Sequence, residues 1–429
     1  FTPWSVERPY LYTLKFDVKV GREKQELVQT FGMYKLHVEG TTMFMNNVPL
    51  CVRGVIRGRE AHDHANLLGL DEEEFYAKYI RQARRLGFNF VRFHSKVPPD
   101  PYFRAANRLG ILTHVEIRKY YGKYQKEREL MDHDPVLVRS RDWISEIKRI
   151  RNNPSLTVYC LGNEINTPGR NPQVADREAE LRRLDPTRLF IDTCARGEFD
   201  RGHVDLDVQH MGYFAPFGRN YRMFETSRNW GIFGSVDGKK MVTGGRGSIT
   251  RREVPVTRPV IAHEVGHYVV LRDLDAIRKK YARSSAEEPW WLEELIRLRR
   301  EKGLERDYAK MREASIRYQY VWYKQVFESV RRSPILSGFQ FLQLADTERY
   351  ENANGLLDCF DDLKPGVDEG NWQTFNSDAV VAADLPRRTF FEGESLAIPL
   401  WLSNCTQHLA GEGTLSWTLR SKAGKAVDL

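Results

Sequence analysis

The stretch Val260-Ile261-Ala262-His263-Glu264-Val265-Gly266-His267 admits two incompatible readings, and the choice between them decides the fold. As a helix it presents His263-Glu264-x-x-His267, two histidines one turn apart that would bind zinc while the glutamate activates the metal's water. As a strand it sends residues 263 and 267 too far apart to share an ion. The approach through Arg258-Pro259-Val260-Ile261, a proline followed by β-branched residues, favours a short buried strand running into Glu264. Gly266 would cost a helix about 1 kcal/mol relative to alanine. The longer metal motif, with a further glycine and histidine downstream, is absent, because Val270 stands where the glycine belongs. A strand is therefore expected, with no metal, and a zinc peptidase becomes the disfavoured alternative.

A carboxylate at the C-terminal end of a barrel strand needs a second of its kind to do chemistry on a glycosidic bond. Leu156-Thr157-Val158-Tyr159-Cys160-Leu161-Gly162-Asn163-Glu164 supplies it, another strand-like run that ends in an Asn-Glu pair. Two strand-terminal glutamates meeting at one mouth of a barrel are the equipment of a retaining glycosidase, one protonating the leaving oxygen and the other attacking the anomeric carbon. That chemistry requires no cofactor.

Working outward, the chain alternates strand and helix. Val52–Gly58 reads as a strand. Asp71-Glu72-Glu73-Glu74 opens a helix with acid at its positive end, and Gly87 stops it. Phe88–His94 follows as a strand, then a helix near 99–109 and a strand at Ile111–Ile117. Asp134 and Pro135 are expected to start a helix whose stripe is Val136, Trp143, Ile144, Ile147 and Ile150. After the strand ending at Glu164 come a helix near 174–184, strands at Leu189–Thr193 and Leu206–His210, the strand ending at Glu264, a helical region at 305–332 and a strand at Leu336–Leu344. Eight strand candidates interleaved with helices predict a (β/α)8 TIM barrel over residues 51–365.

Residues 1–50 alternate as β-structure and read as the C-terminal part of a β-domain. Insertions are expected near 214–257, a lid or a surface excursion, and near 272–303, an outer helical layer. Residues 366–386 read as a linker, and 387–429 as the start of a C-terminal β-sandwich, strand-rich from Thr389 to Leu402.

Composition narrows the class. A hydrophobic fraction of 41% and a charged fraction of 29% over 429 residues suit a globular chain with a sizeable core. No apolar run approaches 18 residues, so no membrane span is expected. The net charge of +8 is spread over helices and loops, which points to a solvated surface rather than to the binding of uronate-bearing glycans or nucleic acid. Five cysteines without CxxC spacing read as free thiols, Cys160 within a core strand. The start at Phe1 suggests a missing native N-terminus, and neither compartment nor oligomeric state can be read.

Taken in order, the motifs resemble glycoside hydrolase family 2. Trp4-Ser5-Val6-Glu7-Arg8-Pro9-Tyr10-Leu11-Tyr12 is similar to a segment late in that family's immunoglobulin-like domain, and Phe31-Gly32-Met33-Tyr34 to its Phe-Gly-Phe-Arg, with tyrosine for arginine. Asn47 followed by Arg53-Gly54 resembles the approach to the first barrel strand. Arg92-Phe93-His94, Arg151-Asn152-Asn153-Pro154-Ser155, Gly162-Asn163-Glu164 and Arg258–Glu264 resemble its later motifs. The resemblance covers about residues 4–365. It implies a retaining, exo-acting, β-galactosidase-like glycosidase that takes terminal β-linked sugars, with Glu164 as acid/base and Glu264 as nucleophile. An endo-acting glycanase and a carbohydrate-binding pseudoenzyme stand as alternatives. The family's tryptophan on the last strand is missing: Gly338–Asp346 offers Leu342 and Leu344. The Asn-x-Lys pair of its glucuronidases is also missing.

Around the two glutamates, Arg92 is expected to keep Glu264 ionised and Asn163 to bond the sugar 2-hydroxyl. His94, His210 and Tyr213 suit either sugar contact or the core. Tyr120, with Tyr121 and Tyr124, suits either stacking on a pyranose or loop packing, and Glu116 suits either a hydroxyl ligand or a scaffold. His263 and His267 are expected to support the nucleophile through hydrogen bonds.

Overall fold

In a computed structural model, the described residues are 1–57, 69–117, 138–165, 171–194, 202–210, 235–236, 239–240, 256–347, 353–385, 387, 389–406 and 411–426. Eight parallel strands form one sheet: Val52–Arg57, Phe90–Phe93, Leu112–Glu116, Leu156–Cys160, Leu189–Ile191, Asp207–Gln209, Val260–Val265 and Leu336–Phe341. In the order 5-4-3-2-1-8-7-6, the first and last strands in the chain are neighbours, as a (β/α)8 TIM barrel demands. Val52 pairs with Gly338, so the ends of the repeat are stitched together. Strands five and six share no ladder; instead Asp205 bridges them, its backbone N–H donating to Phe190 O at 3.0 Å and its carboxylate accepting from Phe190 N at 2.6 Å.

All six residues of Val260–Val265 are buried, and so are all five of Leu156–Cys160. Burial on both faces explains their continuous apolar runs, since one face meets the barrel interior and the other the helices. Between the strands lie helices Glu72–Arg85, Asp100–Leu109, Ser140–Ile150, Pro172–Leu184 and Tyr308–Arg332. Asp71 caps the first by accepting from Glu74 N at 2.8 Å, and Gly87 turns the chain at φ +87°, where a Cβ would stand 1.7 Å from Asn376 O.

Two expectations are corrected. The third helix begins at Ser140 after an extended Arg139 (φ −63°, ψ 143°), not at Pro135; Asp134, Pro135 and Val136 lie outside the described residues. Residues 366–386 do not form a bare linker: they hold a helix at Glu369–Gln373 and a strand at Ala379–Ala383, which pairs with Leu400–Asn404. The physical reason is aromatic. Trp372 and Phe375 are buried against Phe327, which stacks on Phe339 at 4.0 Å, so the segment closes the barrel wall. Losing such a ring costs about 3–5 kcal/mol.

The strand-rich stretch expected from Thr389 narrows to Leu400–Asn404. Residues 272–303 carry helices Leu274–Tyr281 and Trp290–Glu301 around their own small core of Leu274, Ile277, Trp291 and Phe360. Most of 214–257 lies outside the described residues. At the N-terminus, hairpin Tyr12–Val20/Glu23–Phe31 and the three short strands from Leu36 to Pro49 precede the barrel. Buried Trp4 donates to Asn107 O at 2.8 Å, and Tyr34 to Leu156 O at 2.6 Å, which ties this part to the barrel's lower end.

Candidate active site

Glu164 follows barrel strand four and Glu264 is the penultimate residue of strand seven, and both adopt a left-handed backbone, φ +52° and φ +49°. Non-glycine residues pay of order 1–3 kcal/mol for such conformations, which persist only where the surroundings enforce them. Here the enforcement is visible. Glu164 N donates to Cys194 O at 2.8 Å, and the strand register slips between Ala262 and Val265, so each carboxyl is turned out of its strand toward the barrel mouth. Gly266 next door has φ +79°, and its missing Cβ leaves room for the Tyr323 ring. The strand at 260–265 excludes the helical zinc motif.

His210, at the end of strand six, joins the two acids. Its Nε2 stands 2.9 Å from Glu164 Oε1 and 3.8 Å from Glu264 Oε2. Those two distances laid end to end bound the separation of these oxygens at about 6.7 Å. Retaining pairs stand about 5–5.5 Å apart and inverting pairs about 6.5–9.5 Å, so the bound reaches only the bottom edge of the second range. The ring nitrogen can donate to an ionised Glu164 or accept from a protonated one, and so partners that carboxyl in both states.

Electrostatics separate the roles. Burial raises the Glu264 carboxyl, but His263, His210 and Arg92 more than offset it and hold the group well below the usual carboxylate range. Arg92 Nη1 lies 3.6 Å from Glu264 Oε1, and His263 Nε2 lies 3.2 Å from the same oxygen, on too bent a line for a full hydrogen bond. The Glu164 side chain is 19% exposed against 9% for Glu264, so Glu164 is better placed to exchange a proton with water.

Arg92 does more than was expected of it, and its nearest partner is not Glu264. Fully buried, it donates to Glu116 Oε1 at 2.7 Å and to Asn163 Oδ1 at 2.6 Å. With Oδ1 taken, the Asn163 amide N–H groups remain for a sugar hydroxyl. Glu116 is fully buried, with its oxygens accepting from Arg92 and from Ser95 N–H. Burial raises its carboxyl, yet Arg92, His94, His114 and Ser95 N–H bring it down to about 2. His94 is held neutral by burial and by Arg92, with Nδ1 3.0 Å from Ser95 Oγ. His267 is also pushed down by burial. Tyr120, Tyr121, Tyr124 and Tyr213 lie outside the described residues.

Below the two acids lies a polar layer that sequence reasoning passed over. The Gln340 amide stands 3.2 Å from His263 Nδ1 and 3.2 Å from His114 Nδ1, and His114 Nε2 is 3.7 Å from Cys194 Sγ. The alternation His114-Val115-Glu116, which puts two polar side chains on one face of a buried strand, was the available signal.

Among the described residues two groups place metal-ligating atoms within 4.8 Å: His114, Glu116, Cys160 and Cys194, and His210, His263 and Glu264. In both, the carboxylate already faces the Arg92 guanidinium, a resident cation that an incoming metal would have to displace.

No family model matches the chain. It is 27% identical over 189 residues to a β-galactosidase of Pectobacterium atrosepticum, a match covering 43% of this chain and 18% of that protein. It is 27% identical over 216 residues to a putative β-glucuronidase of Formosa agariphila, covering 48% and 19%. These matches span about a fifth of each curated relative's length. In fold it is similar to a β-D-mannosidase of Dictyoglomus thermophilum, with TM-score 0.58, 16% identity, and coverage of 92% of this chain and 52% of that one.

Proposed function

We propose that this chain, a glycoside hydrolase family 2-like protein in sequence and barrel fold, hydrolyses terminal β-linked sugars with retention of anomeric configuration. The observation that carries the proposal is the pair Glu164 and Glu264, at two strand ends, both left-handed, with one His210 nitrogen between them.

Glu264, kept ionised by His263, His210 and Arg92, attacks the anomeric carbon while protonated Glu164 gives its proton to the leaving oxygen. Glu164 then takes a proton from the water that releases the sugar. Asn163, oriented by Arg92, donates to the 2-hydroxyl oxygen, a contact that strengthens as positive charge grows on the ring. No step needs a metal or an organic cofactor.

A β-galactoside is the substrate we put first, because the relatives named β-galactosidase carry the sequence match. A panel of nitrophenyl β-glycosides, including glucuronide, galacturonide and mannoside, tests the proposal, with product configuration followed by proton NMR. Turnover with retention supports it. Binding without turnover would make the protein a carbohydrate-binding module, inversion would overturn the two-step chemistry, and cleavage only within longer chains would make it an endo-acting glycanase.

A further inference from the structure

We infer that Gln340 and His114 are positioning residues that fix the tautomer of His263 and so keep a proton on its Nε2, beside Glu264. The inference rests on Glu264 being the nucleophile.

An amide between two imidazoles must donate to one and accept from the other, and it can be seated either way round. As placed in the structure, its oxygen faces His263 and its nitrogen faces His114. Nδ1–H of His263 then donates to Gln340, and a neutral ring turns the bare lone pair of Nε2 toward the Glu264 carboxylate 3.2 Å away. Two electron-rich groups would be forced together in a buried site. With the amide reversed, Gln340 N–H donates to Nδ1 of His263, and the proton sits on Nε2, where its positive end lies beside the Glu264 carboxylate 3.2 Å away.

The same reversal suits the rest of the layer. The amide oxygen accepts Nδ1–H of His114, and the bare Nε2 of His114 faces Cys194 Sγ at 3.7 Å, where a thiol proton can be donated. Every donor from Cys194 through His114, Gln340 and His263 then runs one way, ending on the nucleophile. A doubly protonated His263 would also satisfy both contacts. Burial and the neighbouring Arg92 oppose that by holding the ring down to about 4, and they hold His114 down to about 3.

Among the described residues, the charged and titratable groups facing Glu264 are Arg92 and His94 from strand two, Glu164 from strand four, His210 from strand six, and His263 and His267 from its own segment. His263 faces Glu264, Arg92 and His210. Of these, the tautomer of His263 alone is set by Gln340. A proton presented to an ionised carboxylate lowers its pKa, so losing it raises the pKa.

Two measurements test the inference. In protein labelled with 15N-histidine, long-range 1H–15N spectra at pH 7, with His263 assigned through His263→Gln, should show a protonated Nε2 and a bare Nδ1. A protonated Nδ1, or an imidazolium, overturns it. This arm needs no turnover, so it stands even if the protein hydrolyses no glycoside. In the second, Gln340→Met should move the acid limb of kcat/KM upward by about one pH unit, and adding it to His263→Gln should move that limb no further. An unmoved limb in Gln340→Met, or a further move in the double variant, overturns it. Absence of hydrolysis in the wild type would instead count against the glycosidase proposal.

Discussion

Replacing Arg92 by methionine strips the charge from the centre of the site while keeping much of the volume. Its Glu116 partner is fully buried, so the carboxylate would be left without its cation, and breaking one side of such a pair costs about 3–5 kcal/mol. A second change tells stranded charge from lost packing. Glu116→Gln added to Arg92→Met removes the orphaned charge and keeps an acceptor for Ser95 N–H, so stability should return to within about 1–2 kcal/mol of wild type.

Activity should not return with it. Asn163 still lacks the donor that orients it, and Glu264 still lacks the cation 3.6 Å away. Urea unfolding followed by tryptophan fluorescence reads the first quantity, and kcat/KM on an aryl glycoside reads the second. Acid sharpens the test. The Glu116 carboxyl is depressed from its ordinary 4.5 to about 2, so it contributes stability above 4.5 that is lost as pH falls through about 2, roughly 3 kcal/mol in all. The gap between wild type and Arg92→Met should therefore narrow below pH 4.5. Equal instability of the single and double variants, or a single variant within about 1 kcal/mol of wild type, would refute the argument.

Three further outcomes are expected. Glu164→Ala should abolish cleavage of alkyl glycosides, spare aryl glycosides with good leaving groups, and yield a glycosyl azide when azide is added; equal loss on every substrate would count against its acid/base role. Asn163→Ala should lower kcat/KM by about a hundredfold on a 2-hydroxyl sugar and much less on its 2-deoxy analogue, since the contact is then already missing. Gly266→Ala should destabilise by more than about 1 kcal/mol, because its φ is +79° and a Cβ there would stand 2.3 Å from the Tyr323 ring; urea unfolding and activity, measured together, show whether the strain reaches Glu264.

The barrel strands were legible because burial on both faces leaves continuous β-branched and aromatic runs, and a run such as Val260-Ile261-Ala262 cannot be mistaken once its proline is weighed. The segment 366–386 was misread for a different reason. Its glycine, aspartates and asparagine resemble a linker, whereas its fate is set by two rings, Trp372 and Phe375, whose pocket around Phe327 is built from residues far away in the chain. The start of the third helix failed locally, because Pro135 suited an N-terminus and nothing nearby disclosed that Arg139 is extended.

At the site, the identity of the two glutamates could be read from the strands that lead to them, but their backbone could not. Nothing in Asn163-Glu164 or His263-Glu264 announces φ near +50°, a conformation that opposes the preference of any L-residue. It is imposed from outside, by Cys194 O on one and by the slipped register beside strand eight on the other. The same non-local origin explains why Gln340 and His114 went unnoticed. A buried glutamine in an apolar run looks like a defect until the two imidazoles on either side are seen, and those come from strands three and seven, more than 140 residues apart in the chain. On the proposed mechanism, chemistry at this barrel mouth depends on strain and tautomers held by contacts between strands, which is why a substitution below the carboxylates is expected to change the pH at which they work.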